Sequence, residues 1–369
     1  MLKQQKIFFD FLRFCIGSAK ETPVSLKEAD WKELYAIAQK QCLVGVLFDG
    51  IKKLPTEHVG MEKELLLHWM AESQMLEKAN VRLNDAAIQV SEWFRKKGFR
   101  TCILKGQGNA LMYPNPYSRT PGDIDIWVEE GNKRVISFVR SISPHEKACY
   151  HHIEFPSYKG VEVEVHYRPS FLLCFWHNRK LLKYYERVKE EQFSHRVMLG
   201  EQGEIAIPMV EFNLIFQLTH IFSHLMNEGI GLRQLLDYYF VLSMLSVSCE
   251  MLTSLQKELK ELGLWKFAGA IMYIMQEVFG MPASRLIAPP NERFGKFVLN
   301  EVLEAGNFGK HDERNQFGRS KLGHNLQRVY RDMRLVRYFP AEAMNEPFFR
   351  VWHFFWRLKH RRQSLGVFS

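Results

Sequence analysis

The chain has 369 residues, 46% hydrophobic and 25% charged, which allows two or three domains around real cores and matches an ordinary soluble globular protein. The formal net charge of +9 suits an anionic partner, whether a nucleotide, a nucleic acid or a membrane surface, without choosing among them. The six cysteines, at positions 15, 42, 102, 149, 174 and 249, show no C-x-x-C pair or close zinc-type spacing, so free thiols in a reducing cytoplasm are expected rather than a disulfide framework.

Residues 1–95 read as an N-terminal helical region. Met1–Lys6 leads into a short amphipathic run without a small-residue cleavage site, so a signal peptide is not expected. Phe8, Phe9, Phe11, Leu12 and Cys15 recur near helical spacing, and Asp30–Leu54 suggests one or two helices broken near Gly45. Met61–Phe94 lacks proline and predicts one long helix, stopped at Lys96-Lys97-Gly98.

Residues 96–207 change texture and read as a separate core. Strands are expected at Thr101–Leu104, Asp123–Val128, His151–Phe155 and Val161–Tyr167, with helices at Gly108–Met112 and Gly131–Ser141 and a hairpin over Val197–Ile207. Residues 208–369 read as a C-terminal helical domain. Three or four helices are expected over Val210–Asn227, Leu232–Leu245 and Cys249–Phe279, and further helices near Leu326–Arg337 and Glu346–Lys359, with a polar loop at Asn307–Gly323. Phe212–Met226, the most apolar stretch here, is too short and too polar to span a bilayer. The fold class is α+β: a small mixed sheet flanked by helical segments.

The chemistry concentrates in the middle core. Asp123 and Asp125, separated by one apolar residue, point the same way from a strand. Two such carboxylates repel, a cost relieved by a cation, usually Mg²⁺. On Val161–His166, three valines form one face and Glu162, Glu164 and His166 the other. If the two strands are neighbours, a third carboxylate joins the pair, and three can hold two Mg²⁺ ions that clamp a triphosphate. The turn Lys105-Gly106-Gln107-Gly108 upstream offers backbone N–H groups to phosphate. Arg119 either forks onto a phosphate or forms a salt bridge that orients the aspartates.

The sequence glycine turn, short helix, Arg119-Thr120-Pro121-Gly122-Asp123-Ile124-Asp125 resembles the minimal nucleotidyltransferase fold of the polymerase-β-like superfamily. More narrowly, it is similar to a family of uncharacterised bacterial nucleotidyltransferases with Lys-Gly at the turn, a later Glu-x-His strand and a helical Leu-Arg-x-x-x-Asp. Here these are Lys105-Gly106, Glu164-Val165-His166 and Leu232-Arg233-Gln234-Leu235-Leu236-Asp237, and the resemblance covers roughly residues 30 to 250. It implies that Asp123 and Asp125 bind metal with Glu164 as third carboxylate, Glu162 being the rival on the same face. It further implies a nucleoside triphosphate substrate, an acceptor hydroxyl and release of pyrophosphate, with Lys105, Arg119 and the Gly106–Gly108 backbone on the phosphates. The superfamily usually has Gly-Ser or Gly-Gly at the turn. Gln107 stands there instead, which keeps open a second reading: a nucleotide-binding regulatory or antitoxin-like protein with reduced turnover.

His220 and His224 share a helix face and read either as cleft lining or as core-edge histidines, since no third metal ligand follows from their spacing. Arg233 and Asp237 either pair across one helical turn or, by the resemblance, lie near the site, with Arg233 within reach of the triphosphate. The aromatic, basic tail Phe348–Arg362 suits RNA or an anionic membrane, unless its Phe348, Trp352, Phe355 and Trp356 stripe packs on the body.

Overall fold

The computed structural model describes residues 3–55, 60–201, 203–246, 248–310, 312, 314 and 321–362. Four helices come first: α1 (Lys3–Ile16), α2 (Trp31–Lys40), α3 (Val44–Ile51) and the 34-residue α4 (Lys63–Lys96). Asp30 caps α2 by accepting from the Lys32 and Glu33 amides at 3.0 and 3.1 Å. Gly98, at φ +81°, turns the chain out of α4.

The middle segment runs β1 (Thr101–Ile103), α5 (Gln107–Ala110), β2 (Ile124–Val128), α6 (Asn132–Ile142), β3 (His152–Tyr158), β4 (Val161–His166), α7 (Phe175–Ser194) and the hairpin β5 (Arg196–Leu199) with β6 (Gly203–Ala206). The C-terminal helices are α8 (Val210–Asn227), α9 (Leu232–Met244), α10 (Cys249–Glu261), α11 (Trp265–Glu277), α12 (Glu292–Ala305), α13 (Lys321–Leu335) and α14 (Pro340–Arg362).

Among the described residues, four helices form between Val210 and Glu277, the higher of the two expected counts. Cys249–Phe279 is two helices, because Gly263 takes φ +71° and the Leu264 amide closes back onto the Leu259 carbonyl at 2.9 Å. Helices α7 and α12 occupy stretches that carried no expectation. Of the loop expected over 307–323, residues 311, 313 and 315–320 lie outside the described residues, and Lys321 already begins α13.

The sheet has the order β1-β2-β4-β3, with β2 and β4 parallel and both outer pairs antiparallel. One face carries Ile124, Ile126, Val128, Val163 and Val165, buried together with Ile88 and Phe94 of α4 and Val139 of α6. On the other face Trp127 packs against Phe193 of α7 and Phe212 of α8, with ring centroids 4.6 and 5.7 Å away. The acidic end of β2 and β4 lies on this second face.

A second apolar core joins α1–α3 to α8, α9, α11 and α12. Gln41, buried between them, accepts from the Leu232 amide at 2.8 Å and donates to the Val302 carbonyl at 3.2 Å. Loss of that side chain strands the buried Leu232 amide, at a cost of roughly 1–3 kcal/mol, whereas the Val302 carbonyl keeps the Gly306 amide. At the far end, Glu342 of α14 accepts from the Leu173 and Cys174 amides at 2.6 and 2.8 Å, which caps α7 and fixes α14 to the body. The aromatic stripe of α14 does not pack inward as one unit: Phe348, Trp352 and Phe355 are exposed, while Phe349 and His353 turn toward the body. Among the described residues, no helix is long and apolar enough to cross a membrane.

Candidate functional site

Parallel pairing of β2 with β4 sets Asp125 directly against Glu164. Because strand side chains alternate, both project from the face opposite α4 and α6. Asp123 sits one residue before β2. Carboxylate oxygens of Asp123, Asp125 and Glu164 all lie within 4.8 Å of one another. Glu162, two residues earlier on β4, is exposed and lies outside this group.

Asp125 is almost fully buried and is held from both sides. Its Oδ2 lies 2.8 Å from Lys105 Nζ and its Oδ1 2.9 Å from His166 Nε2. Burial disfavours its charge, but Lys105 and His166 hold the carboxyl well below the usual carboxylate range. Asp125 and burial together push the Asp123 carboxyl up. Burial opposes the His166 imidazolium too, yet its hydrogen bonds to Asp125 and Glu164 raise it to about 9. Glu164 Oε2 lies 3.4 Å from His166 Nε2 and 3.3 Å from His152 Nδ1. Burial and its histidine and lysine neighbours push His152 down to about 4, despite Glu164, and keep His151 and His220 neutral.

The turn after β1 places Lys105 beside the acids. Gly106 takes φ +57°, ψ −109°, a conformation that L side chains rarely adopt. A Cβ on Gly108 would meet the Ile207 side chain at 3.0 Å, a tight contact. Gln107 is buried and donates to Asn84 of α4, so its side chain faces the helix interface rather than a cavity.

Arg119 forks onto Asp237 of α9, with Nε and Nη2 each 2.8 Å from a carboxylate oxygen, and Tyr113 donates to the same carboxylate at 2.7 Å. The guanidinium is therefore turned to α9 and not to the aspartates it precedes. Arg233 Nη1 donates to the Thr120 carbonyl at 3.1 Å. Asn80 of α4 donates to the Tyr117 and Arg119 carbonyls at 2.9 and 2.8 Å, and Thr120 Oγ1 to the Cys42 carbonyl at 2.7 Å. Three helical regions thus pin the segment that leads into Asp123.

Two cavities meet at the acids. One of about 610 Å³ is lined by Lys105, the three carboxylates, His152, His166 and His220, and is closed by the inner face of α14 through Phe349, Arg350 and His353. The other, of about 40 Å³, contains Gly106, Arg119 and Arg233 in its wall and shares Lys105, Asp123, Asp125 and His220 with the first. His220 Nε2 lies 3.2 Å from Lys105 Nζ, and His224 Nδ1 3.3 Å from Glu228. Both histidines therefore line the larger cavity, and neither belongs to a candidate ligand group among the described residues.

Sequence reasoning missed His151 and His152. His152 with Glu164 and His166 forms a second group of possible ligands, and Cys149 with His151 and His152 a third. The adjacent histidines at the start of β3 were visible as a doublet. Their proximity to His166 follows only from the β3–β4 register, which pairs His152 with His166.

The sequence matches the family described as uncharacterised nucleotidyltransferase over residues 27–280. That segment contains both the acidic cluster and Asp237. No curated protein and no solved structure matches the chain.

Proposed function

The chain belongs to this nucleotidyltransferase family, and on that premise we propose that it moves a nucleoside monophosphate from a nucleoside triphosphate to an acceptor hydroxyl, releasing pyrophosphate. The observation that carries this reading is the convergence of Asp123, Asp125 and Glu164 at the wall of the larger cavity. Three carboxylates this close suit a hard, oxygen-preferring divalent cation, and the raised Asp123 reflects the repulsion that such an ion relieves. Asp123, Asp125 and Glu164 would hold Mg²⁺, two ions in the reading favoured here. Held by these carboxylates, such an ion would supply charge neutralisation for phosphate and polarisation of a hydroxyl.

The protein's own groups divide the remaining work. Lys105 brings an ammonium to the acids and so keeps their summed charge tolerable between turnovers. His166 holds Asp125 and Glu164 in one orientation through hydrogen bonds to both. Glu164, the more exposed of the two strand carboxylates, is assigned the acceptor's proton. Arg119 is a positioning residue that acts through Asp237. A cavity of about 610 Å³ falls within the ordinary range for small-molecule sites.

Binding without turnover drew its support from Gln107. Because that side chain packs against Asn84, its presence leaves the cavity lining unchanged, which favours the enzyme reading. The test is pyrophosphate release and label transfer from each nucleoside triphosphate with Mg²⁺, across protein, tRNA, sugar and small-molecule acceptors. Asp125→Asn should abolish release. Full activity in that variant overturns the assignment, and tight nucleotide binding with no release on any acceptor favours the regulatory reading.

A further inference from the structure

Helices α13 and α14 each carry an exposed apolar stripe. On α13, Leu326, Val329, Met333 and Val336 are exposed, and on α14, Met344, Phe348, Val351, Phe355 and Leu358. Both sets step by three and four residues, so each forms one stripe along its helix. Phe348 is 76% exposed and Met333 69%, so neither is packed away among the described residues.

The face continues onto α7. A groove of about 770 Å³ is lined by Phe175, Arg179 and Lys183 from α7 and by Phe348 and Trp352 from α14. Phe175 and Trp176, at the start of α7, are 62% and 67% exposed. Aromatic side chains of two helices therefore share one side of the molecule.

Charge on this region is one-sided. Residues 321–362 hold ten Lys and Arg against three Asp and Glu, a formal +7 of the chain's +9. None of the three acids is exposed: Glu342 caps α7, Glu346 pairs with Arg350, and Asp332 is half-buried. Arg337 and Lys359 are exposed on these helices, and Arg179 and Lys183 of α7 line the groove together with the acid Glu186.

We propose that this face docks the protein on an anionic lipid bilayer surface. A bilayer boundary accepts both halves of the pattern, with apolar side chains entering at the acyl boundary and cations at the headgroups. Single-stranded nucleic acid would use the rings and the cations, but the exposed Met333, Met344, Val351 and Leu358 offer nothing on which a base can stack. A second copy would bring two strongly positive faces together. Because the inner side of α14 lines the larger cavity, a docked molecule holds that cavity close to the lipid surface.

The test is flotation of the full chain with phosphatidylcholine vesicles, with and without roughly 30% phosphatidylglycerol, at physiological salt. Neither nucleotide nor metal is added, so the outcome is independent of the transferase reading. The wild type should float with the anionic vesicles and not with the neutral ones. Phe348→Ser combined with Phe355→Ser should reduce the bound fraction about tenfold, with an unchanged thermal unfolding midpoint. Should that variant fail to fold, Arg179→Glu with Lys183→Glu, on the groove beside Phe348, reads the same face through its charge and should lose binding likewise. Absence of flotation on anionic vesicles overturns the proposal, as does undiminished flotation of the folded variants. So does single-stranded RNA binding that vesicles cannot displace, or a dimer in light scattering that the Phe348/Phe355 variant splits.

Discussion

His166 Nε2 reaches Asp125 Oδ1 at 2.9 Å and Glu164 Oε2 at 3.4 Å, so one imidazole serves carboxylates from two parallel strands. Its value of about 9 lies above the ordinary 6.5. The stabilisation it provides is therefore complete below about pH 6.5 and fades as pH rises through 9. In metal-free buffer, the urea midpoint of the wild type should fall across that window relative to His166→Gln. Parallel pH profiles for the two proteins would refute the charged contact.

The two glutamates of β4 should behave differently. Glu164 stands opposite Asp125, and Glu162 is exposed. Glu164→Gln is expected to slow Mg²⁺-dependent pyrophosphate release by about 10²-fold or more, and Glu162→Gln to leave it nearly unchanged. Steady-state rates at saturating Mg²⁺ decide the matter, since equal losses would move the third carboxylate elsewhere.

Gly106 is predicted to tolerate no side chain for reasons of backbone alone. The nearest atom to a Cβ there is the Asp123 carbonyl oxygen at 3.6 Å, which is ordinary contact. Its φ of +57° with ψ −109° is the obstacle. Gly106→Ala should cost about 1–3 kcal/mol in denaturant titration and displace Lys105, lowering turnover as well. A variant with wild-type stability would mean that the turn relaxes freely.

The buried Arg119–Asp237 pair should matter more to folding than to chemistry. Asp237→Ala leaves a guanidinium and the Tyr113 hydroxyl without their acceptor, an expected loss of about 3–5 kcal/mol by urea unfolding. Arg119→Lys keeps the charge but not the fork, and should fall between wild type and Asp237→Ala.

Much of the site was legible because a strand repeats every second residue. Val-Glu-Val-Glu-Val-His separates a core face from a polar face, while Ile-Asp-Ile-Trp-Val puts its isoleucines and valine in one core and Trp127 in the other, and the buried valines and isoleucines follow that division. Long-range partners were not legible. Arg119 and Asp237 are 118 positions apart, and nothing in either local pattern signals the contact. The histidines around Glu164 depend on register, which a single sequence leaves open. Helix α12 carries a readable signal: Asn291 caps it after two prolines, and Phe294, Val298, Leu299 and Val302 keep helical spacing. In α7 the spacing of Leu181, Tyr184, Tyr185 and Val188 was present as well, diluted by charged residues over its solvent side.

The pairing of Ile124 with Val163 and of Asp125 with Glu164 has an evolutionary corollary. Adding or deleting one residue inside either strand would swing the acids into the hydrocarbon interior and expel the aliphatic side chains into water. Length variation among descendants of this gene should therefore be barred from these two segments and admitted at their tips, such as the Lys159-Gly160 bend, where both residues already have positive φ.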